Sequence, residues 1–109
     1  MKISIDKKNG LSVLKVDGRV DATNFMEMEA EVTRLFDEEE VSLVIDCSGL
    51  SYISSSGLRV FLIAQKKAMA TNGKLFLCCL QPLIKGIFDI SGFTSIFKIY
   101  GTLDEVISH

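Results

Sequence analysis

Apolar and polar residues alternate at the start of the chain, where ISID (3–6) and LSVLKV (11–16) flank KKNG. A period of two marks half-buried strands, and Asn9-Gly10 between two such runs is a strong signal for a two-residue hairpin. The two runs are read as an antiparallel pair. After GRVDATNF the period changes. Phe25, Met28, Val32, Leu35 and Phe36 recur at helical spacing, with Glu27, Glu31 and Arg34 on the other face. Asn24, followed three positions later by Glu27, predicts a reciprocal cap at the start of this helix. VSLVID (41–46) is β-branched and almost wholly apolar, as a strand covered on both faces would be. CSGLSYI then reads as a turn into a second helix from about Ser55 to Ala70, which Asn72-Gly73 stops. KLFLCCL (74–80) predicts another buried strand, and Pro82 opens a helix that ends at the turn Ser91-Gly92. IFKIY (96–100) predicts the last strand, and TLDEVIS a short closing helix from Thr102.

The predicted order is β-β-α-β-α-β-α-β-α. Alternation of strands and helices implies right-handed crossovers and parallel pairing, with the opening hairpin adding one antiparallel pair. The expected fold is therefore a single α/β domain over residues 1–109, with a mixed, mostly parallel sheet of about five strands and about four helices. Its length suffices to bury one core without staples.

Charge narrows the partners. The net charge is −2 and Lys and Arg form no patch, so no nucleic acid is expected as a partner. MKISIDKKNG is too short and polar for a signal peptide, and the apolar runs are too short to span a bilayer. Membrane insertion is not expected. Cys47, Cys78 and Cys79 are an odd set with two neighbours, unlike a disulfide framework, which points to a reducing cytoplasm. No metal-ligand spacing appears, and His109, the only histidine, is the last residue. Neither a metal nor a bound cofactor is expected.

The chemistry concentrates in ISSSGL, on the connection out of VSLVID and at the mouth of the second helix. Four readings apply. One of Ser54, Ser55 or Ser56 caps the helix, and Gly57 lets it pack close to the sheet. A nucleophilic serine would need a base within reach, which His109 is badly placed to supply, and the G-x-S-x-G elbow is absent. A phosphate-binding loop would need glycine spacing that is missing, although a helix N-terminus alone attracts anions. A phosphoserine at a first helical turn would add about −1.5 to −2 charges to a docking surface with little refolding. That would make a switch.

VIDCSGLSYISSSGL resembles the signature of the small STAS-domain proteins that act as bacterial anti-sigma-factor antagonists. GRVDATN is similar to that family's Gly-x-x-Asp loop, and IFDISGFTSIFKIY to its closing helix, glycine and strand. The resemblance spans essentially the whole chain. It implies a non-enzymatic regulator that binds an anti-sigma factor/serine protein kinase while unphosphorylated, so that the sigma factor is released. It implies phosphorylation at Ser55, with Ser54 and Ser56 as competing hydroxyls, and a PPM-type serine phosphatase that resets the switch. ATP is then the kinase's cofactor. Asp21 matches the family's loop acid, while Ser54 stands where the family carries an acid. Asp46, at its strand end, is expected to accept hydrogen bonds from loop amides. On the second helix Leu58, Phe61, Leu62 and Ala68 suit a core face, and Arg59, Lys66 and Lys67 point elsewhere, with Ile63 among them. The expected partner surface is Asp21, Ser54, Ser55, Ser56, Gly57, Arg59 and Ile63. Two other classes fit the same residues: a STAS module of a signalling scaffold, secretion switch or transporter-associated complex without a sigma factor, and a small-ligand or nucleotide-binding domain.

Overall fold

The computed structural model describes residues 1–108, which leaves His109 outside the described residues. Strands β1 (Lys2–Lys8) and β2 (Leu11–Val20) form the predicted hairpin. Asn9 and Gly10 both adopt positive φ, at 51° and 81°, the conformation that a tight turn between right-twisted strands demands. The chain continues through α1 (Phe25–Leu35), β3 (Ser42–Ile53), α2 (Ser55–Ala70), β4 (Lys74–Cys78), α3 (Pro82–Ile90), a 3-10 turn (Phe93–Ser95), β5 (Lys98–Tyr100) and α4 (Leu103–Ile107). The sheet runs β1-β2-β3-β4-β5, with only the first pair antiparallel. This is the α/β fold and element order that the periodicity predicts.

The two sheet faces are covered unequally. Leu14 and Val16 of β2, Leu43 and Ile45 of β3, and Leu75 and Leu77 of β4 meet Met28, Val32, Phe61, Ala64, Ile84 and Phe88 in the main core. Edge-to-face contacts of Phe61 with Phe88 and Phe97 close that layer. On the other face Val13, Val44 and Cys78 form a smaller cluster with Val106 of short α4, flanked by Leu11, Phe76, Tyr100 and Leu103. β3 is thus buried on both sides, as its composition predicts.

Two expectations are corrected. CSGLSYI is not a turn: β3 continues to Ile53, and Gly49, Leu50, Tyr52 and Ile53 pair with Asp17, Gly18, Arg19 and Val20. Gly49 serves close approach rather than chain reversal, because a Cβ there would sit 1.8 Å from Asp17 Oδ1. Register shifts near Lys15/Asp17 and Gly18/Arg19 hide the pairing from a period-two pattern. The predicted cap between Asn24 and Glu27 does not form either, since Asn24 makes no side-chain cap hydrogen bond. At the end of α2, Asn72 rather than Gly73 takes the left-handed conformation, and Gly73 N–H reaches Ala68 C=O at 2.7 Å in a Schellman closure. β4 and β5 are shorter than predicted, because Cys79 leaves the strand at φ 65° and Ile96 belongs to the end of the 3-10 turn.

Candidate functional site

The ends of β2 and β3 set the site. Val20 and Ile53 are register partners, and Ser54 N–H donates to Val20 C=O at 2.9 Å. The loop that starts at Asp21 and the helix that starts at Ser55 therefore leave side by side from the carboxyl ends of two parallel strands. In α/β domains this edge is where functional groups gather.

The three hydroxyls of ISSSGL have separate environments. Ser54 is extended (φ −90°, ψ 175°), and its Oγ accepts from Gly57 N–H at 3.2 Å, so Ser54 is the N-cap. Serine and aspartate cap about equally well, which explains how Ser54 replaces the family's acid without loss of the helix start. Ser55 is the first helical residue and is exposed, with no side-chain hydrogen bond among the described residues. Ser56 is half-buried. Gly57 is fixed by packing: a Cβ would lie 2.7 Å from Ile53 Cγ1, 3.0 Å from Val20 Cγ1 and 3.1 Å from Val20 O.

The Asp21 loop is internally braced. Asp21 Oδ1 accepts from Thr23 N–H at 2.9 Å and from Thr23 Oγ1–H at 2.6 Å. Those two bonds hold its carboxyl below the ordinary value, with Arg19 adding a smaller push in the same direction. Asn24 ties the loop instead of capping α1: its Oδ1 accepts from Asp21 N–H at 2.9 Å and its Nδ2–H donates to Arg19 C=O at 3.0 Å. The helix takes its first turn from backbone bonds, with Phe25 N–H to Asp21 C=O at 3.0 Å.

Outward from Ser55, Arg59 and Ile63 follow at four-residue intervals, each turned by about 40° about the helix axis. Arg59 is exposed and Ile63 half-buried. The core-facing line of α2 is Gly57, Val60, Phe61, Ala64 and Ala68, with Leu58 and Leu62 partly buried at its margin. Lys66 is exposed, while Lys67 is half-buried. Six of the seven residues of the expected partner surface therefore belong to this edge or to the adjoining face of α2; Gly57 does not, because it is buried against Val20 and Ile53 and serves packing instead. Asp46 stands apart within β3 rather than at its end, and its Oδ1 accepts from Ser48 N–H at 2.9 Å, an amide of the same strand and not of the expected loop.

Sequence reasoning misses Arg19 and Tyr52. They are cross-strand partners on the extended part of β3, and the Arg19 guanidinium lies 4.3 Å from the ring centroid. Tyr52 is exposed and contributes apolar surface two residues before the cap. The signal that would have found it is the alternation LSYI, visible once CSGLSYI is read as strand.

Comparison with known proteins agrees with this geometry. BtrV of Bordetella bronchiseptica, a protein assigned the anti-sigma factor antagonist role, is 40% identical over 99 residues, spanning 91% of this chain and 85% of its own. The crystal structure of an anti-sigma factor antagonist from Mycobacterium paratuberculosis superposes with a TM-score of 0.88 at 22% identity, covering 98% of this chain and 91% of that one. SpoIIAA, in its unphosphorylated form, superposes at 0.80 with 20% identity over 97% of this chain and 93% of its own. A STAS-domain family model matching residues 2–106, together with the 40% identity to BtrV, leads to one conclusion: the chain belongs to the STAS domain family.

Proposed function

We propose that this protein is an anti-sigma-factor antagonist whose affinity for an anti-sigma factor/serine kinase is switched by phosphorylation of Ser55. The observation that carries the proposal is the division of labour among the serines. Ser54 Oγ is committed to the cap, whereas the Ser55 hydroxyl is exposed at the first position of α2 without an internal partner among the described residues. The name given to BtrV supports the role, and SpoIIAA, a Bacillus cell fate determinant of like fold, is known in a phosphorylated as well as an unphosphorylated form.

Physical chemistry favours such a switch here. A phosphate on the first helical residue lies at the positive end of the macrodipole, so the domain keeps its fold. The added charge falls among Asp21, Ser54, Ser56, Arg59 and Ile63. A partner docked on that surface would have to desolvate it. The unphosphorylated chain binds the kinase and the sigma factor is released; the phosphorylated chain dissociates. In this reading the domain is non-enzymatic and cytoplasmic, ATP is consumed by the kinase, and a PPM-type serine phosphatase restores Ser55.

The test is site mapping. The purified protein is incubated with Mg-ATP and extract of its native cells, and added phosphate is located by mass spectrometry. One phosphate, on Ser55 and absent from Ser55→Ala, is the expected result. Phosphate on Ser54 or Ser56, or none where a control antagonist is modified, overturns the assignment.

A further inference from the structure

β3 and β4 bring together three side chains that the switch does not use. Asp46 and Cys78 are register partners on the sheet face that α4 covers, and Cys79 follows directly. A carboxylate oxygen of Asp46 and the two sulfurs all lie within 4.8 Å of one another. Neighbours in a strand normally point to opposite faces, so adjacent cysteines do not ordinarily share a target. Here Cys79 breaks that alternation. It is a non-glycine residue at φ 65°, held there by its N–H to Tyr100 C=O at 3.2 Å, which lets its sulfur lie within 4.8 Å of that of Cys78. A left-handed conformation in a residue with a side chain is uncommon and strained.

We propose that Asp46, Cys78 and Cys79 form a binding site for a thiophilic divalent cation of the zinc class. Zinc bonds of about 2.3 Å to sulfur and about 2.0 Å to oxygen, in tetrahedral geometry, put ligand atoms about 3.5–3.8 Å apart. From separations within 4.8 Å, the three groups need to close by at most about 1.3 Å to meet that spacing. Two thiols and a carboxylate select a thiophilic ion over calcium or magnesium, which take oxygen ligands. The fourth position is left to water. On binding, two metal–sulfur bonds replace two S–H bonds, and both thiol protons go to solvent. Because both thiols must lose their protons to bind, loading grows stronger as pH rises.

The carboxylate side of the site is open. Asp46 lines an open groove with Val13, Lys15 and Leu103. Lys15, its register partner on β2, lies 4.0 Å from Asp17, and no ion pair among the described residues takes up Asp46. The second oxygen of Asp46 remains for a ligand while the first is fixed by Ser48 N–H. Cys47 is excluded from the set, because it packs in the main core and its Sγ–H donates to Ile45 C=O. Residue spacing does not show this site, since Asp46 comes from the neighbouring strand.

The test is titration of the reduced 109-residue chain with Co²⁺, followed by displacement with Zn²⁺. One equivalent should give sulfur-to-cobalt charge transfer with the intense visible bands of a tetrahedral site, and release two protons. Cys79→Ser should cut the charge-transfer intensity and weaken affinity by at least about tenfold, while Asp46→Asn keeps the charge transfer and weakens binding. Cys47→Ala should change neither. Circular dichroism confirms that each variant is folded. An absence of stoichiometric binding, or an unchanged spectrum in folded Cys79→Ser, overturns the site. Neither outcome bears on Ser55 phosphorylation, which is read independently.

Discussion

Gly57 and Gly86 offer the same chemical substitution with opposite expected signs. A Cβ at Gly57 would meet Ile53 Cγ1 at 2.7 Å and Val20 Cγ1 at 3.0 Å, and Val20 O at 3.1 Å. The carbonyl is backbone and already accepts the Ser54 N–H, so it has no rotamer by which to move aside. Overpacking of a tight site costs about 1–3 kcal/mol. The gain in helix propensity from glycine to alanine offsets at most about 1 kcal/mol of that. Because one of the contacts is fixed backbone, the upper part of that range applies, about 2–3 kcal/mol, and Gly57→Ala should lose about 1–2 kcal/mol net. Gly86, inside α3, has nothing within 4 Å of its would-be Cβ, so Gly86→Ala should gain about 0.5–1 kcal/mol. In urea, with a slope of about 1.5 kcal/mol/M, the first variant moves the midpoint down by about 1 M and the second moves it up by about 0.5 M. A Gly57→Ala protein as stable as wild type would refute the claim that α2 is seated on the ends of β2 and β3 by that glycine.

Ser54→Ala should destabilise the domain by about 1 kcal/mol through loss of the cap, while Ser55→Ala stays within about 0.5 kcal/mol of wild type in the same urea experiment. Equal losses would contradict the assignment of Ser54 as cap. Asp21 should titrate below the ordinary carboxylate value of 3.8, and Thr23→Val should move its midpoint up towards that value in a carboxyl ¹³C NMR titration. Because the folded pKa is the depressed one, any stabilisation from Asp21 is present above the unfolded-state value and is lost as pH falls through the folded one. An unmoved midpoint in Thr23→Val would remove the hydrogen-bond explanation. On the proposed partner surface, Arg59→Ala should weaken binding to the proposed kinase by about fivefold or more and leave stability within about 0.5 kcal/mol. Unchanged affinity would place the partner elsewhere.

Periodicity revealed most of this architecture, because each element has one physical task. The hairpin is legible from Asn9-Gly10 because few other residues tolerate positive φ at both turn positions. α1 is legible because a single face is buried at Met28, Val32 and Phe36. The second half of β3 is not, because Cys47-Ser48-Gly49 has the composition of a turn. Its glycine answers to Asp17 across the sheet, a contact no local pattern records. Asn24 misleads for a similar reason: its side chain serves as well in a loop as at a cap, and here it binds Asp21 and Arg19. The serine motif was legible as a motif, but only the geometry separates the capping hydroxyl of Ser54 from the exposed one of Ser55. Cys78 and Cys79 read as strand residues, and the left-handed turn at Cys79 that brings their sulfurs together has no glycine to announce it.

The central claim is that one phosphate on Ser55 separates this domain from its partner. The kinase captured from native cells with Ser55→Ala protein, and identified by its phosphorylation of Ser55 in the wild-type chain, is the reagent for the decisive measurement. Isothermal titration calorimetry then compares its affinity for the unphosphorylated and the stoichiometrically phosphorylated chain. The account predicts binding at least about tenfold weaker after phosphorylation, equivalent to about 1.4 kcal/mol or more of desolvation and repulsion. Equal affinities for the two forms would contradict it.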